Sequence, residues 1–234
     1  MHDIVIDAFN FVLIATSASV RASQDRDNPE LAFSILMNMI QSLERRFSDA
    51  RFFAVWDSHG GTQFRRDIDP NYKANRTTRI ADFDAVKTAQ PAFDLYGMKS
   101  ISLEATEADD TIYVLCKELK ERGDSITIVS RDRDLLQTVQ CGYADEQYDP
   151  VSKVMIPVPD YSVVDFKALV GDSSDNLSGV KGIGKVTAMK ILNGERQLTS
   201  EQRKTFEMYK DIIDASRHPR LDENIASIKN ILTN

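Results

Sequence analysis

The chain has 234 residues, 42% of them hydrophobic, with 36 acidic side chains against 29 basic ones and a formal charge of −7. That length supports one good core, or a core with a small subdomain. No apolar run approaches the length that spans a bilayer, and the N-terminus lacks the basic and apolar regions of a signal peptide, so neither a membrane nor a secreted protein is predicted. The two cysteines, Cys116 and Cys141, fall in apolar stretches and are expected as reduced core residues of a cytosolic protein. The three histidines, His2, His59 and His218, are scattered and form no zinc pattern. Nothing favours a Cys-His or Ser-His-Asp nucleophile.

In chain order, Ile4-Val5-Ile6 reads as a short strand ending on Asp7, and Ala8 to Ser19 gives no clear periodicity. Pro29-Glu30 opens a helix with Leu31, Ile35, Met39 and Leu43 at helical spacing. Arg51 to Trp56 is a buried strand ending on Asp57, and Gly60-Gly61 breaks the chain. Ala85 to Tyr96 is helical with Pro91 as a kink, and Ile101 with Leu103 suggests a short strand. Thr106 with Asp109 fits a capping box, and Ile112, Leu115, Cys116 and Leu119 continue the helix. Ser125 to Ser130 is a clean strand, followed by weaker ones at Cys141 to Ala144 and Lys153 to Ile156. Beyond Tyr161 come short helices and glycine turns. Alternating strands and helices predict an α/β fold with a mainly parallel sheet.

The carboxylates are the informative residues. Asp7, Asp57 and Asp132 each follow a predicted strand, so in a parallel sheet they converge on one edge, where such folds bind ligands. Glu107, Asp109 and Asp110 lie in the first turn of a helix that can start at that edge. Asp134 follows Asp132 by two, and Asp172 and Asp175 occupy a glycine-flanked turn. A single Asp after a strand is ordinarily a turn residue or a helix cap. Three strand ends, one triple cluster and one paired turn together point to a metal site. Carboxylates without His or Cys suit Mg2+ or Mn2+. Two such ions about 3.5–4 Å apart would activate water and stabilise the leaving oxygen of a phosphodiester. Setting nine of the 36 acids aside leaves 27 against 29 cations, which is compatible with a nucleic-acid partner.

Cations do cluster locally. From Phe64 to Lys87 run Arg65, Arg66, Lys73, Arg76, Arg79 and Lys87, interleaved with Phe64, Tyr72 and Phe83. The cations suit phosphates and the aromatics suit unpaired bases, although a solvated helix face would carry the same residues. Gly179 to Lys185 reads G-x-x-G-x-G-K, not a dinucleotide fingerprint. As a hairpin between helices it would offer backbone N–H groups of Gly182 and Gly184, with Lys185, to a phosphate.

These residues resemble the 5′-nuclease superfamily: the 5′→3′ exonuclease domain of bacterial DNA polymerase I, phage 5′-exonucleases and flap endonucleases. The resemblance rests on Ile6-Asp7-Ala8-Phe9-Asn10, Trp56-Asp57, Phe64-Arg65, Tyr72-Lys73-Ala74-Asn75-Arg76, Glu107-Ala108-Asp109-Asp110, Ser130-Arg131-Asp132-Arg133-Asp134 and Gly171 to Gly184. It implies a PIN-like core over residues 1–160, with a short helical arch at about 64–98, and a helical helix-hairpin-helix region over 161–234. It implies that Asp7, Asp57, Glu107, Asp109, Asp110, Asp132, Asp134, Asp172 and Asp175 form a two-metal site. Lys73 and Arg76 would stand at the base of the arch, Lys73 steering the scissile phosphate. Backbone carbonyls of Val180 and Ile183 would hold K+. Two departures stand out. Ala8 replaces a common glycine, and Ile14 replaces a common arginine, leaving Arg21 as a substitute DNA contact.

The expected protein is thus a Mg2+-dependent structure-specific 5′ nuclease, stand-alone, monomeric and cytoplasmic in a bacterium or a phage-infected host. Its expected substrates are DNA flaps or 5′ ends, and RNA primers on DNA. A PIN-like ribonuclease and a DNA-junction-binding module without catalysis are the alternatives. The duplex-gripping hairpin argues against the first, and the full set of acids against the second.

Overall fold

The computed structural model describes residues 1–23, 28–76 and 89–233, so Arg79, Phe83 and Lys87 of the basic segment lie outside the described residues. The strands are β1 His2–Asp7, β2 Arg51–Val55, β3 Lys99–Ile101, β4 Ser125–Val129, β5 Glu146–Asp149 and β6 Val154–Met155. They form one sheet in the order β3-β2-β1-β4-β5-β6, parallel throughout except for the final β5–β6 pair.

Alternate residues of each strand face opposite sides, and both sides are covered. Ile4, Ile6, Ala54 and Val129 face helices α1 (Ala8–Ser23), α2 (Pro29–Arg46) and α4 (described over 89–95), meeting Phe11, Leu36, Ile40 and Phe93. Val5, Phe53, Val55 and Ile128 face α5 (Ala108–Glu121) and α10 (Leu221–Thr233), meeting Ile112, Leu115, Leu119 and Ile228. Between these lie α3 (Gln63–Ile68), α6 (Leu136–Gln140), α7 (Val163–Val170), α8 (Lys185–Leu192) and α9 (Ser200–Ile213).

Several local readings change. The stretch without clear periodicity is α1, whose Phe11, Val12, Ala15 and Ser19 are buried. Its serines and threonines disguise it because they turn back on the backbone, as when Thr16 Oγ1 donates to the Val12 carbonyl at 3.0 Å. In α2 the buried stripe is Leu36, Ile40 and Leu43. Cys141 to Ala144 is a turn after α6, and the strand falls at Glu146 instead. There Asp145 is fixed by accepting from the Ile126 N–H at 2.8 Å. Cys116 is buried but Cys141, at the end of α6, is exposed, so only one cysteine is a core residue; both are free thiols. Thr106 makes no capping box. The cap position of α5 is Glu107, without a side-chain bond, and the Ala108 N–H is taken by Asp57.

A third apolar cluster joins α7, the glycine hairpin, α8 and α9 through Leu169, Val180, Ile183, Ala188, Phe206 and Ile212. Gly171 and Gly179 cross so closely that a Cβ on either would lie 2.4 Å from backbone of the opposing strand of the turn. Both have positive φ, 85° and 70°, which only glycine adopts freely. That crossing closes the loop bearing Asp172 and Asp175. After α9 the chain leaves this cluster: Ala215 in the turn that follows and Ile228 of α10 pack into the core on the α5 side of the sheet.

Candidate metal centre

The chain winds outward from β1 to β2 and β3, then returns to β4 on the other side of β1. The carboxyl ends of β1 and β4 therefore border a topological switch point, where the flanking loops part and leave a crevice. Asp7 ends β1, Asp132 follows β4, Asp57 follows β2, and the first turn of α5 opens beside them.

An inner group of acids gathers around the buried Asp7, with Asp109 and Asp132 half-buried and Asp57 exposed. Asp7 is 6% exposed and accepts from the Asn10 N–H (3.1 Å) and the Ser130 hydroxyl (3.0 Å). Ser130 Oγ in turn accepts from the Asp132 N–H at 3.0 Å, and Asp132 Oδ1 from the Asp134 N–H at 3.0 Å. Asp57 accepts the Ala108 N–H at 2.8 Å, at the positive end of α5. Among the described residues, Asp7, Asp57 and Asp109 have no cation at ion-pair distance. Burial and then the neighbouring charges of Asp57 and Asp132 push Asp7 up to about 7. Desolvation by crowded neighbours, then Asp132 and Asp7, carry Asp109 well above its ordinary value, and desolvation followed by Glu107 raises Asp57 even though part of its surface stays open.

The outer group is paired. Lys167, from α7, reaches Asp172 (2.6 Å), Asp175 (3.2 Å) and Asp134. Burial still holds Asp134 up at about 6 against that lysine. At Asp172 burial acts upward too, but Lys167 and the Ser174 hydrogen bonds outweigh it and bring the group to about 2. Glu107 accepts from Arg65 (2.8 Å), Tyr72 (3.0 Å) and Lys73. Burial opposes its charge, but Lys73 and Arg65 prevail and lower its pKa.

The structure brings all nine predicted acids to this one end of the sheet, but it uses several predicted residues differently. Asp110, expected as a metal ligand, is 1% exposed, and its two oxygens accept from Arg65 at 2.7 Å each. Arg65, expected on DNA, is 4% exposed and also donates to the Ile212 carbonyl at 2.7 Å. It is a buried counter-ion, because a guanidinium matches two carboxylates that cannot be buried alone. Tyr72, expected to stack on bases, is 3% exposed. Phe64 packs edge-on against His218 at 4.5 Å. Arg66 and Arg76 are exposed, Arg76 reaching Asp175 at 2.7 Å, and Gly182, Gly184 and Lys185 are exposed at the start of α8. Val180 and Ile183 are buried. Arg21 is exposed on α1.

Three features escaped the sequence. Lys167 looks there like any lysine on a short helix. Gln147 is buried on β5 and donates to the carbonyls of Ser130 (3.0 Å) and Asp132 (2.5 Å), holding the turn after β4. Lys73 has φ 53°, a left-handed conformation that β-carbon sterics disfavour, and its N–H donates to the Asp175 carbonyl at 2.9 Å. The basic segment is thereby docked on the acidic turn.

The donor set is all carboxylate oxygen, and Asp134, Asp172 and Asp175 offer oxygens within 4.8 Å of one another. Crowded acids with no cation at ion-pair distance among the described residues, together with an oxygen-only cluster, fit hard divalent ions, not metals that seek imidazole or thiolate.

Comparison with known proteins agrees with this architecture. Two family models match: "5'-3' exonuclease, N-terminal resolvase-like domain" over residues 3–156 and "5'-3' exonuclease, C-terminal SAM fold" over 158–231. A DNA polymerase I of Rhizobium leguminosarum is 32% identical over 214 residues, covering 82% of this chain and 20% of that protein. A 5'-3' exonuclease of Bacillus subtilis is 36% identical over 176 residues, covering 67% of this chain and 56% of that protein. The chain thus spans about a fifth of the first relative and a little over half of the second. Bacteriophage T5 flap endonuclease, in a complex with DNA and metal ions, superimposes with TM-score 0.70 at 19% identity over 100% of both chains. T5 5'-exonuclease with bound zinc ions gives 0.67 at 18% identity over 99% of both. The expected PIN-like mainly parallel sheet with a helical C-terminal region is the fold observed, the helical region being of the SAM type. On the family models, with the acids gathered where that fold binds ligands, this chain belongs to the 5'-3' exonuclease family.

Proposed function

We propose that this protein is a structure-specific 5′ nuclease that hydrolyses phosphodiester bonds of DNA at 5′ ends and 5′ flaps. The observation that carries the reading is the group of acids that have no cation at ion-pair distance among the described residues, the buried Asp7 with the half-buried Asp109 and the exposed Asp57, at the switch point of the sheet, with Lys73 and Arg76 alongside. The relatives support it, being 5'-3' exonucleases and a flap endonuclease in complex with DNA and metal ions.

Asp7, Asp57, Glu107, Asp109, Asp132, Asp134, Asp172 and Asp175 would hold two Mg2+ ions, with Mn2+ able to replace them. Asp110 contributes by fixing Arg65, which in turn orients Glu107. When bound, the ions supply an activated water and Lewis-acid stabilisation of the leaving oxygen. Lys73 and Arg76 meet the scissile phosphate and the 5′ strand. Residues beyond about 160 grip duplex, with exposed Gly182, Gly184 and Lys185 at the start of α8 facing phosphate. Carbonyls of Val180 and Ile183 are the K+ ligands in this reading. It extends to RNA primers on DNA, to a monomer and to the cytoplasm; no helix among the described residues is long and apolar enough to cross a membrane.

The test is cleavage of a 5′-flap duplex labelled at its 3′ end, in Mg2+, beside Asp132→Asn. Metal-dependent product near the flap junction, absent in the variant, is expected. Binding without cleavage would point to a junction-binding module, and cleavage of single-stranded RNA alone to a ribonuclease.

A further inference from the structure

Lys167 comes from the last turn of α7, and its side chain is only 11% exposed. Its Nζ lies 2.6 Å from Asp172 and 3.2 Å from Asp175, and also contacts Asp134. These are the three carboxylates whose oxygens lie within 4.8 Å of one another, close enough to surround a single cation. An ammonium has three donors, and here each finds a carboxylate. Arg76 touches the same group from outside, through the other oxygen of Asp175. The space left among Glu107, Asp109, Asp134, Lys167 and Asp175 is about 20 Å3, room for roughly one water-sized sphere. A divalent ion held by these three carboxylates and this ammonium therefore compete for the same oxygens.

We propose that Lys167 is a built-in cation that holds Asp134, Asp172 and Asp175 together in the metal-free protein and gives way when a divalent ion enters. The proposal rests on the metal-site reading above and deepens it. One side chain sets metal-free stability and metal affinity against each other at this cluster. Without the ammonium, three carboxylates would face each other with, among the described residues, only Arg76 at the edge, so the metal-free fold would weaken and the cluster would bind a divalent ion more tightly. The stem of Lys167 is anchored in α7, next to Ala168 and Leu169 of the third apolar cluster, so its displacement also bears on the helices behind the glycine hairpin.

The experiment titrates Mn2+ into the full chain by calorimetry and by the electron paramagnetic resonance of free ion, for wild type, Lys167→Met and Lys167→Arg, with metal-free melting followed by circular dichroism. In Lys167→Met one bound ion is expected to tighten at least about tenfold, about 1.4 kcal/mol, and the metal-free melting temperature to fall. Lys167→Arg, which keeps the charge, stays near wild type on both. A Lys167→Met chain that folds only with Mn2+ supports the proposal, since the ion then takes over the ammonium's role. Unchanged or weaker Mn2+ affinity in Lys167→Met, or a chain that folds in neither condition, overturns the proposal and leaves the metal-site reading standing. No Mn2+ binding by wild type overturns both.

Discussion

The two ends of the parallel sheet both bury acids, and they handle them in opposite ways. At the amino ends, Asp3 is fully buried but accepts from Arg51 at 2.8 and 2.9 Å. Asp124 is held by Arg51 (2.9 Å) and by the Met1 amine (3.0 Å). That network is closed, and each acid has its cation. At the carboxyl ends Asp7 is buried, Asp109 half-buried and Asp57 exposed, and the positive groups nearby among the described residues serve Glu107, Asp110 and the outer turn. A buried acid with a partner ties elements together. A buried acid without one raises its pKa, or waits for a cation from outside. The first end is therefore structural and the second is built for a ligand.

Breaking the carboxyl end should have the largest effect. Asp132→Asn is expected to lower flap cleavage by roughly 10³-fold or more, since a metal supplies several kcal/mol to the transition state. Single-turnover assays in saturating Mg2+ would measure it, and retention of near wild-type rates would remove Asp132 from the site.

Arg65→Met strikes a part of this end that already has its cation. It strands Glu107 and Asp110 with fewer partners, so chemical denaturation should report a loss of about 3–5 kcal/mol, the range for breaking a buried pair from one side. A loss below about 1 kcal/mol would mean that Arg65 is a DNA-facing residue after all.

Asp109→Asn sharpens the contrast in the other direction. It removes one of the crowded charges, so the metal-free protein should gain roughly 1 kcal/mol, while the rise in melting temperature on adding Mn2+ shrinks. A lower metal-free melting temperature would show that Asp109 has a structural partner.

At the opposite edge, Arg51→Met should cost about 1–3 kcal/mol, the range for a buried acceptor left unmade. Arg51 is partly exposed, so the lower part of that range is expected. Flap cleavage and Mn2+ affinity should stay within about twofold of wild type. A cleavage defect comparable to that of Asp132→Asn would erase the distinction between the two ends.

Legibility in the sequence followed the range of the interaction. The strands at Ile4, Phe53 and Ile128 announced themselves because a central parallel strand is apolar on both faces. Most of the acids announced themselves because they sit just past such a strand or in the first turn of a helix, and Asp172 and Asp175 because they share a glycine-flanked turn. Helix α1 did not, since Thr16 and Ser23 bond back to carbonyls one turn earlier, Ser19 donates to the Asn28 carbonyl ahead of α2, and these polar residues hide the apolar stripe. The basic segment misled for a related reason. Arg65 and Tyr72 have the composition of a nucleic-acid surface, but their partners Asp110 and Glu107 are more than thirty positions away.

By itself the sequence determined the alternating elements, the sheet class and the convergence of nine carboxylates, because these depend on short-range periodicity and on where strands end. The tertiary structure alone decided which of those acids are paired. It turned Arg65 inward onto Asp110, placed Lys73 in a left-handed conformation against Asp175, and brought Lys167 from α7 into the outer cluster. The physical reason is that a charge is satisfied by whatever stands within about 4 Å of it, and in a folded chain that neighbour is set by packing rather than by sequence distance.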